Sequence, residues 1–154
     1  EKGIKSTEGF IIFLRGSDSR CAPIAWRSRV ISRVCRSAKS AETVALEDAL
    51  DMAIGIGRQV VQIQTGQIQD YPIPIIGYTD SKSLIESLKS TKQVDEGPTR
   101  LNVARIKDHL TQNLVKEIKW VPTHLQMADP LTKAKVDPTE MRKVMKYGFL
   151  KKPE

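Results

Sequence analysis

Three carboxylates stand out in this 154-residue chain by position rather than by type. Asp80 closes the apolar run Ile75-Ile76-Gly77-Tyr78-Thr79, and a polar-capped helix starts directly after it. Glu42 lies in the first or second turn of a long helical stretch. Asp129 reads as the start of the helix that follows the last strand-like run. Carboxylates gathered at one place repel one another unless cations sit between them. Mg2+ suits such a cluster: it prefers oxygen ligands and keeps several waters, so a few carboxylates and a substrate phosphate complete its shell. Two such ions clamp the attacking water and the leaving oxygen of a phosphodiester. Each acid also has a plainer reading. Asp80 suits a helix N-cap, and Glu42 suits a first-turn acid that complements the helix dipole. Glu47 and Asp48, farther along the same helix, read as surface or helix-pairing acids. His124, on the loop before Asp129, reads either as an assisting acid–base group or as a partly exposed loop histidine. His109 reads as plain surface.

Elements must deliver these side chains. Glu1 to Glu8 is polar and carries no strand or helix pattern. Gly9–Leu14 reads as a strand, Arg15–Arg20 as a turn rich in Gly, Ser and Asp, and Ala22–Arg29 as the partner strand of a hairpin. Ser37 to about Gln64 reads as helix, capped by Ser37 or Ser40, with Ala41, Val44, Ala45, Ala49, Met52, Ala53 and Ile56 on one face. Gly55 and Gly57 mark a break or a close packing contact. Ile73–Tyr78 reads as a short buried strand with Gly77 as a thin spot. A helix over Ser81–Lys89 follows, capped by Ser81 or by Ser83 with Glu86. Arg100–Val115 reads as helix, Ile118–Pro122 as a brief strand, Met127–Lys133 as the lead into a helix, and Pro138–Tyr147 as a last short helix. This order predicts an α/β fold with a mixed sheet. Asp80 then falls at the carboxyl edge of that sheet, where ligands bind in open α/β folds. Residues 1–150 read as one domain and 151–154 as a tail.

Composition bounds the partners. The chain is 40% hydrophobic and 28% charged, which is ordinary globular usage. No apolar run reaches membrane-spanning length and no signal peptide opens the chain, so no membrane partner and an intracellular location are expected. Cys21 and Cys35 match no metal spacing and read as reduced thiols. The net charge of +7 suits a polyanion such as nucleic acid, or simply a solvated basic surface. Aromatics make up only 5%, which disfavours a base-stacking platform for single strands and favours backbone recognition of a duplex.

The sequences AETVAL at 41–46, GYTDSKSL at 77–84 and WVPTHLQMADPLTK at 120–133 are similar to the ribonuclease H domain of copia-type LTR-retrotransposon polyproteins. GFIIFL at 9–14 followed by PIAWRSR at 23–29 resembles that family's first hairpin. The resemblance runs over nearly the whole chain in the right order. It implies a ribonuclease H-like fold and a two-metal site of Mg2+, with Mn2+ as a substitute. Glu42, Asp80 and Asp129 match three of the family's four metal-binding carboxylates. The implied reaction cuts the RNA strand of an RNA–DNA hybrid, leaving a 3′-hydroxyl and a 5′-phosphate. Related enzymes carry a mobile histidine near the position of His124. The resemblance also implies a reverse transcriptase domain on the same polyprotein, and a virus-like particle or the nucleus as the location. One departure matters. The family's first catalytic Asp sits on a central strand before the hairpin, and neither Glu1 nor Glu8 fills its place. The expectation is a gap in the sheet and impaired cleavage. The alternative is an RNase H-like module that binds nucleic acid without cutting it.

Overall fold

The computed structural model of the chain describes residues 6–32, 35, 37–68, 73–91 and 97–149. Glu1, part of the loop before Pro98 and the tail 151–154 lie outside the described residues. Two runs rich in β-branched and aromatic residues, Thr7–Arg15 (β1) and Cys21–Val30 (β2), pair as an antiparallel hairpin. Ile11 lies opposite Trp26, and the register shifts between Ile12 and Phe13. The turn is tied by its own polar groups: the Gly16 amide donates to the Arg20 carbonyl at 2.8 Å, and Asp18 accepts from the Arg20 amide at 3.1 Å. The hairpin begins earlier than expected. Thr7 and Glu8 belong to β1, and the Glu8 side chain is buried. Arg29 on the facing strand donates to one Glu8 oxygen and, at 2.6 Å, to Asp48. A polar residue is thus carried into the strand by a cross-strand cation, which local patterning does not show.

Ser37 caps the long helix Ala38–Thr65 (α1) by accepting from the Ser40 amide at 3.1 Å. The helix runs through Gly55 and Gly57 without a break, and Gly57 is buried. Of the expected apolar face only Val44 is fully buried. Thr43, Val44, Leu46, Glu47, Leu50 and Val61 are buried, whereas Ala41, Ala45, Ala49, Met52, Ala53 and Ile56 are only partly so. Leucines offer more apolar area than alanines, and that area decides which side turns inward. Leu46 and Leu50 form the core with Leu84, Val103, Ile106 and Val115.

Ile76–Thr79 (β3) and Glu117–Trp120 (β4) pair in parallel, with Thr79 opposite Trp120. A parallel pair needs a long crossover. Lys82–Lys89 (α2) and Gly97–Thr111 (α3) provide it. Lys39 of α1 donates to Ser87 of α2 at 2.6 Å. The strands are mixed, one pair antiparallel and one parallel, and the gap expected in the sheet is present. β1–β2 and β3–β4 are two separate two-stranded sheets, and no ladder joins β1 to β3 among the described residues. That is where the resemblance places its central strand.

The last helix, Thr139–Tyr147 (α4), ends at Gly148, whose φ of 73° is left-handed. Its carbonyl accepts from the Cys21 amide at 2.7 Å, so the helix end is pinned to the start of β2. A Cβ at Gly148 would lie 2.9 Å from the Cys21 carbonyl oxygen. Gly148→Ala is therefore expected to cost at least about 1–2 kcal/mol, since left-handed backbone is unfavourable for an L side chain. A urea midpoint measurement checks this. Cys21 is buried, and neither Cys21 nor Cys35 forms a disulfide.

Candidate active site at the strand ends

β3 delivers Asp80 immediately after its last residue. The N-cap of α2 is Ser81, and its side chain makes no capping bond. The Ser81 amide instead donates to Thr79 Oγ1 at 3.2 Å. Neither the N-cap reading of Asp80 nor the Ser83–Glu86 capping box is realised, so the Asp80 carboxylate has no capping task. Its backbone is fixed from β4: Trp120 Nε1 donates to the Asp80 carbonyl at 3.0 Å. The Lys82 ammonium lies 4.9 Å from the centre of the Trp120 ring. A cation and an aromatic face thus flank the Asp80 loop.

Glu42 sits in the second turn of α1, half-buried, and no acid occupies the first turn. The dipole-complementing reading of Glu42 is therefore weaker than its position suggested, because that effect fades beyond the first turn. Next to it Thr43 is fully buried and bonds the Lys39 carbonyl at 2.7 Å.

Asp129 does not begin an α-helix, as the sequence led us to expect. It begins a short 3-10 turn, Asp129–Leu131, after a first such turn at Thr123–Leu125. Pro130 at the start and the amides of Thr132 and Lys133, both 3.0 Å from the Asp129 carbonyl, tighten it. The turn is docked on the hairpin. Ser28 donates to the Leu131 carbonyl at 2.5 Å. A Cβ at Gly9 would lie 2.5 Å from Thr132 Cγ2, so only glycine lets the turn approach β1 this closely. Asp129 is buried at 8% exposure, and Lys133 Nζ reaches its Oδ2 at 2.8 Å. His124 is exposed on the first 3-10 turn.

The ammonium of Lys133 is bonded to Asp129. Burial works against its charge, yet its pKa is raised above the ordinary 10.5 by the hydrogen bond and charge of Asp129 and by the charges of Asp80 and Glu42. Of the three acids, Asp129 is the one bonded to this cation. Among the described residues, however, no three acid, histidine or cysteine side chains stand close enough to share a metal ion. The donor chemistry suits Mg2+, but the carboxylates are not closed into a coordination shell.

The other acids fall into structural pairs. Glu47, 2% exposed, meets Arg105 of α3 at 2.5 Å, which realises the helix-pairing reading. Arg105 and His109 both reach Asp51 at 2.9 Å. His109 is not plain surface, since its side chain is only 16% exposed. Asp48 pairs with Arg29 and Arg27 of β2. Glu8, held by Arg29, belongs to this network and not with Asp80 and Asp129. The sequence reading missed Lys133, whose signal was its spacing of four from Asp129, and Gly9 and Ser28, whose role no local pattern reveals.

Two solved structures share this architecture. One is ribonuclease H1 from the halophilic archaeon Halobacterium salinarum NRC-1. It has a TM-score of 0.57 and 20% identity, over 82% of this chain and 91% of that one. The other is the N-terminal ribonuclease H domain of Rv2228c from Mycobacterium tuberculosis, solved as a fusion with maltose-binding protein. Its TM-score is 0.52 at 15% identity, over 90% of this chain and 98% of that one. No protein-family model matches the chain, and a comparison with curated proteins gives no match. The chain has a ribonuclease H-like α/β fold, with its sheets flanked by helices.

Proposed function

We propose that this chain is the ribonuclease H domain of a copia-type LTR-retrotransposon polyprotein, acting on RNA–DNA hybrids made by a reverse transcriptase on the same polypeptide. The observation that carries the reading is the ribonuclease H-like fold, in which Asp80 follows the end of β3 and a buried Asp129 sits in a turn docked on the hairpin. The motifs at 41–46, 77–84 and 120–133 support it by resemblance. The three acids are the proposed holders of Mg2+, or of Mn2+ in its place. When bound, the metals supply an activated water and stabilise the leaving oxygen. The chain's own contribution is positional. β3 and the Trp120 bond fix Asp80, the docked 3-10 turn fixes Asp129, and α1 presents Glu42. Lys82 and Trp120 lie at the rim, where a phosphate and a sugar face of a duplex would pass. The net charge of +7 favours that duplex and predicts salt-sensitive binding. RNA is told from DNA by the 2′-hydroxyls of the wide minor groove. His124, exposed on the 3-10 turn before Asp129, is the proposed assisting histidine.

A fourth carboxylate, on a strand between β1 and β3, is needed for full activity. Residues 1–154 tested by themselves are expected to cut more slowly than a chain that includes that strand. A second reading has its own support: among the described residues the acids do not close on a metal, and Lys133 is bonded to Asp129. On that reading the domain binds nucleic acid without cutting it.

The test is cleavage of an end-labelled RNA–DNA hybrid with Mg2+, run for this chain and for one extended upstream to include a first strand. Cleavage by the extended chain alone is the expected result. Cleavage at full rate by this chain itself would show that no fourth carboxylate is needed. If both chains bind the hybrid and neither cuts it, the second reading replaces the first.

A further inference from the structure

Trp120 is left in water at the end of β4, at 40% exposure. Two contacts fix it there. Its Nε1 donates across to the Asp80 carbonyl at 3.0 Å, which ties the end of β4 to the loop after β3. Its ring lies under the Lys82 ammonium, 4.9 Å from the centre. Lys82 is exposed and opens α2, two residues after Asp80. Several other lysines are committed to oxygens of the chain: Lys39 to Ser87, Lys107 to the Ser90 carbonyl, Lys119 to Glu117 and Lys143 to Glu140. Lys82 enters no ion pair among the described residues and meets a ring instead. The π face attracts the charge without using up its N–H donors. The result is a fixed ammonium with donors to spare beside an exposed aromatic face. A phosphate suits the first and the apolar side of a sugar suits the second, and the two alternate along a nucleic-acid backbone. A lone carboxylate of a protein partner would use the ammonium and leave the ring uncovered.

We propose that Lys82 and Trp120 together are a backbone-contact site for a nucleic-acid strand: the ammonium takes a phosphate, the ring packs on the adjoining sugar, and the indole N–H carries the contact to the Asp80 backbone. The choice of nucleic acid rests on the proposed function, whereas the paired geometry stands without it. Trp120 is a positioning residue, because it acts on Asp80 through a carbonyl and not on the reacting atoms. Its two parts have separable jobs. The ring face holds the strand, and the N–H holds the loop. A strand seated on the ring is thereby kept in a fixed relation to Asp80. The contact needs no metal ion, so it is read without one.

The experiment uses the whole chain in EDTA with a short labelled RNA–DNA hybrid. Fluorescence anisotropy across a salt series reads affinity, and the indole N–H signals of Trp26 and Trp120 in NMR spectra read the contact. Lys82→Met is expected to lower the slope of log K against log salt by about one. Lys89→Met removes an exposed charge at the far end of α2 and is expected to leave the slope unchanged. The Trp120 indole signal is expected to shift when hybrid is added. Trp120→Phe keeps a ring under Lys82 and removes the N–H. It is expected to bind the hybrid as wild type does, but to exchange the Ser81 amide faster. Hybrid binding in which the Trp120 signal stays in place, or in which Lys82→Met and Lys89→Met change the slope equally, overturns the contact site and leaves the ribonuclease H reading standing. Unchanged Ser81 exchange in Trp120→Phe overturns the link to Asp80. Absence of hybrid binding by wild type at low salt overturns the contact site and also removes the binding that the proposed function requires.

Discussion

Asp80→Asn in the upstream-extended chain is expected to lower RNA–DNA hybrid cleavage by about two orders of magnitude or more. The substitution keeps the volume and leaves the Asp80 carbonyl free to accept from Trp120, a bond through the backbone rather than the side chain. It also disturbs no cap, because the carboxylate caps nothing and Ser81 occupies the N-cap. The fold is therefore expected to survive, with a melting midpoint close to that of the parent. Hybrid affinity is expected to hold or rise, since one charge that repels phosphate is gone. Single-turnover cleavage and filter binding on the same preparation separate the two effects. If Asp80→Asn cuts as fast as the parent, Asp80 is not a metal-holding residue and the assignment of the site fails.

The largest stability effect is expected at Leu84. It is fully buried and is the one buried residue of α2, a helix of only eight residues. A helix that short does not hold itself together in water. Its place depends on Leu84 entering the core formed by Leu46, Leu50, Val103, Ile106 and Val115. Leu84→Ala is expected to cost about 2–5 kcal/mol, from lost burial and the cavity left behind. Leu84→Met, which nearly conserves volume, is expected to cost less than about 1.5 kcal/mol. Urea midpoints at constant slope check both values. Because α2 starts two residues after Asp80, the alanine variant is also expected to loosen the Asp80 loop. That would show as faster amide exchange at Ser81, Lys82 and Ser83 than at α3 positions. Uniform exchange along both helices would mean that α2 unfolds only with the whole domain.

The two expectations differ in how far they could be read from the chain. Asp80 was legible because the signal is local: an apolar run stops at a carboxylate and a helix begins. Leu84 was quoted within the same stretch, yet nothing local ranks it above Ile85 or Leu88. Ile85 is only half-buried in the structure, and Leu88 packs at the edge of the core. The same limit explains the error on α1. Helical spacing identified the helix and its cap at Ser37. It could not say which side would face β1, β3, α2 and α3, because that depends on which elements arrive from far along the chain.

The sequence by itself determined the kinds and order of the elements, the Gly16–Arg20 turn, and the placement of Glu42, Asp80 and Asp129 at or near element ends. These follow from periodicity of two or 3.6 residues and from turn and cap chemistry, which act within a few positions. Only the tertiary structure decided that no ladder joins the hairpin to the parallel pair among the described residues, and that Gly9 and Ser28 seat the Asp129 turn. Ser28 and Leu131 lie 103 residues apart in sequence, and their contact is fixed by packing rather than by any local preference. A contact of this kind is a property of three-dimensional distance, to which a one-dimensional pattern has no access.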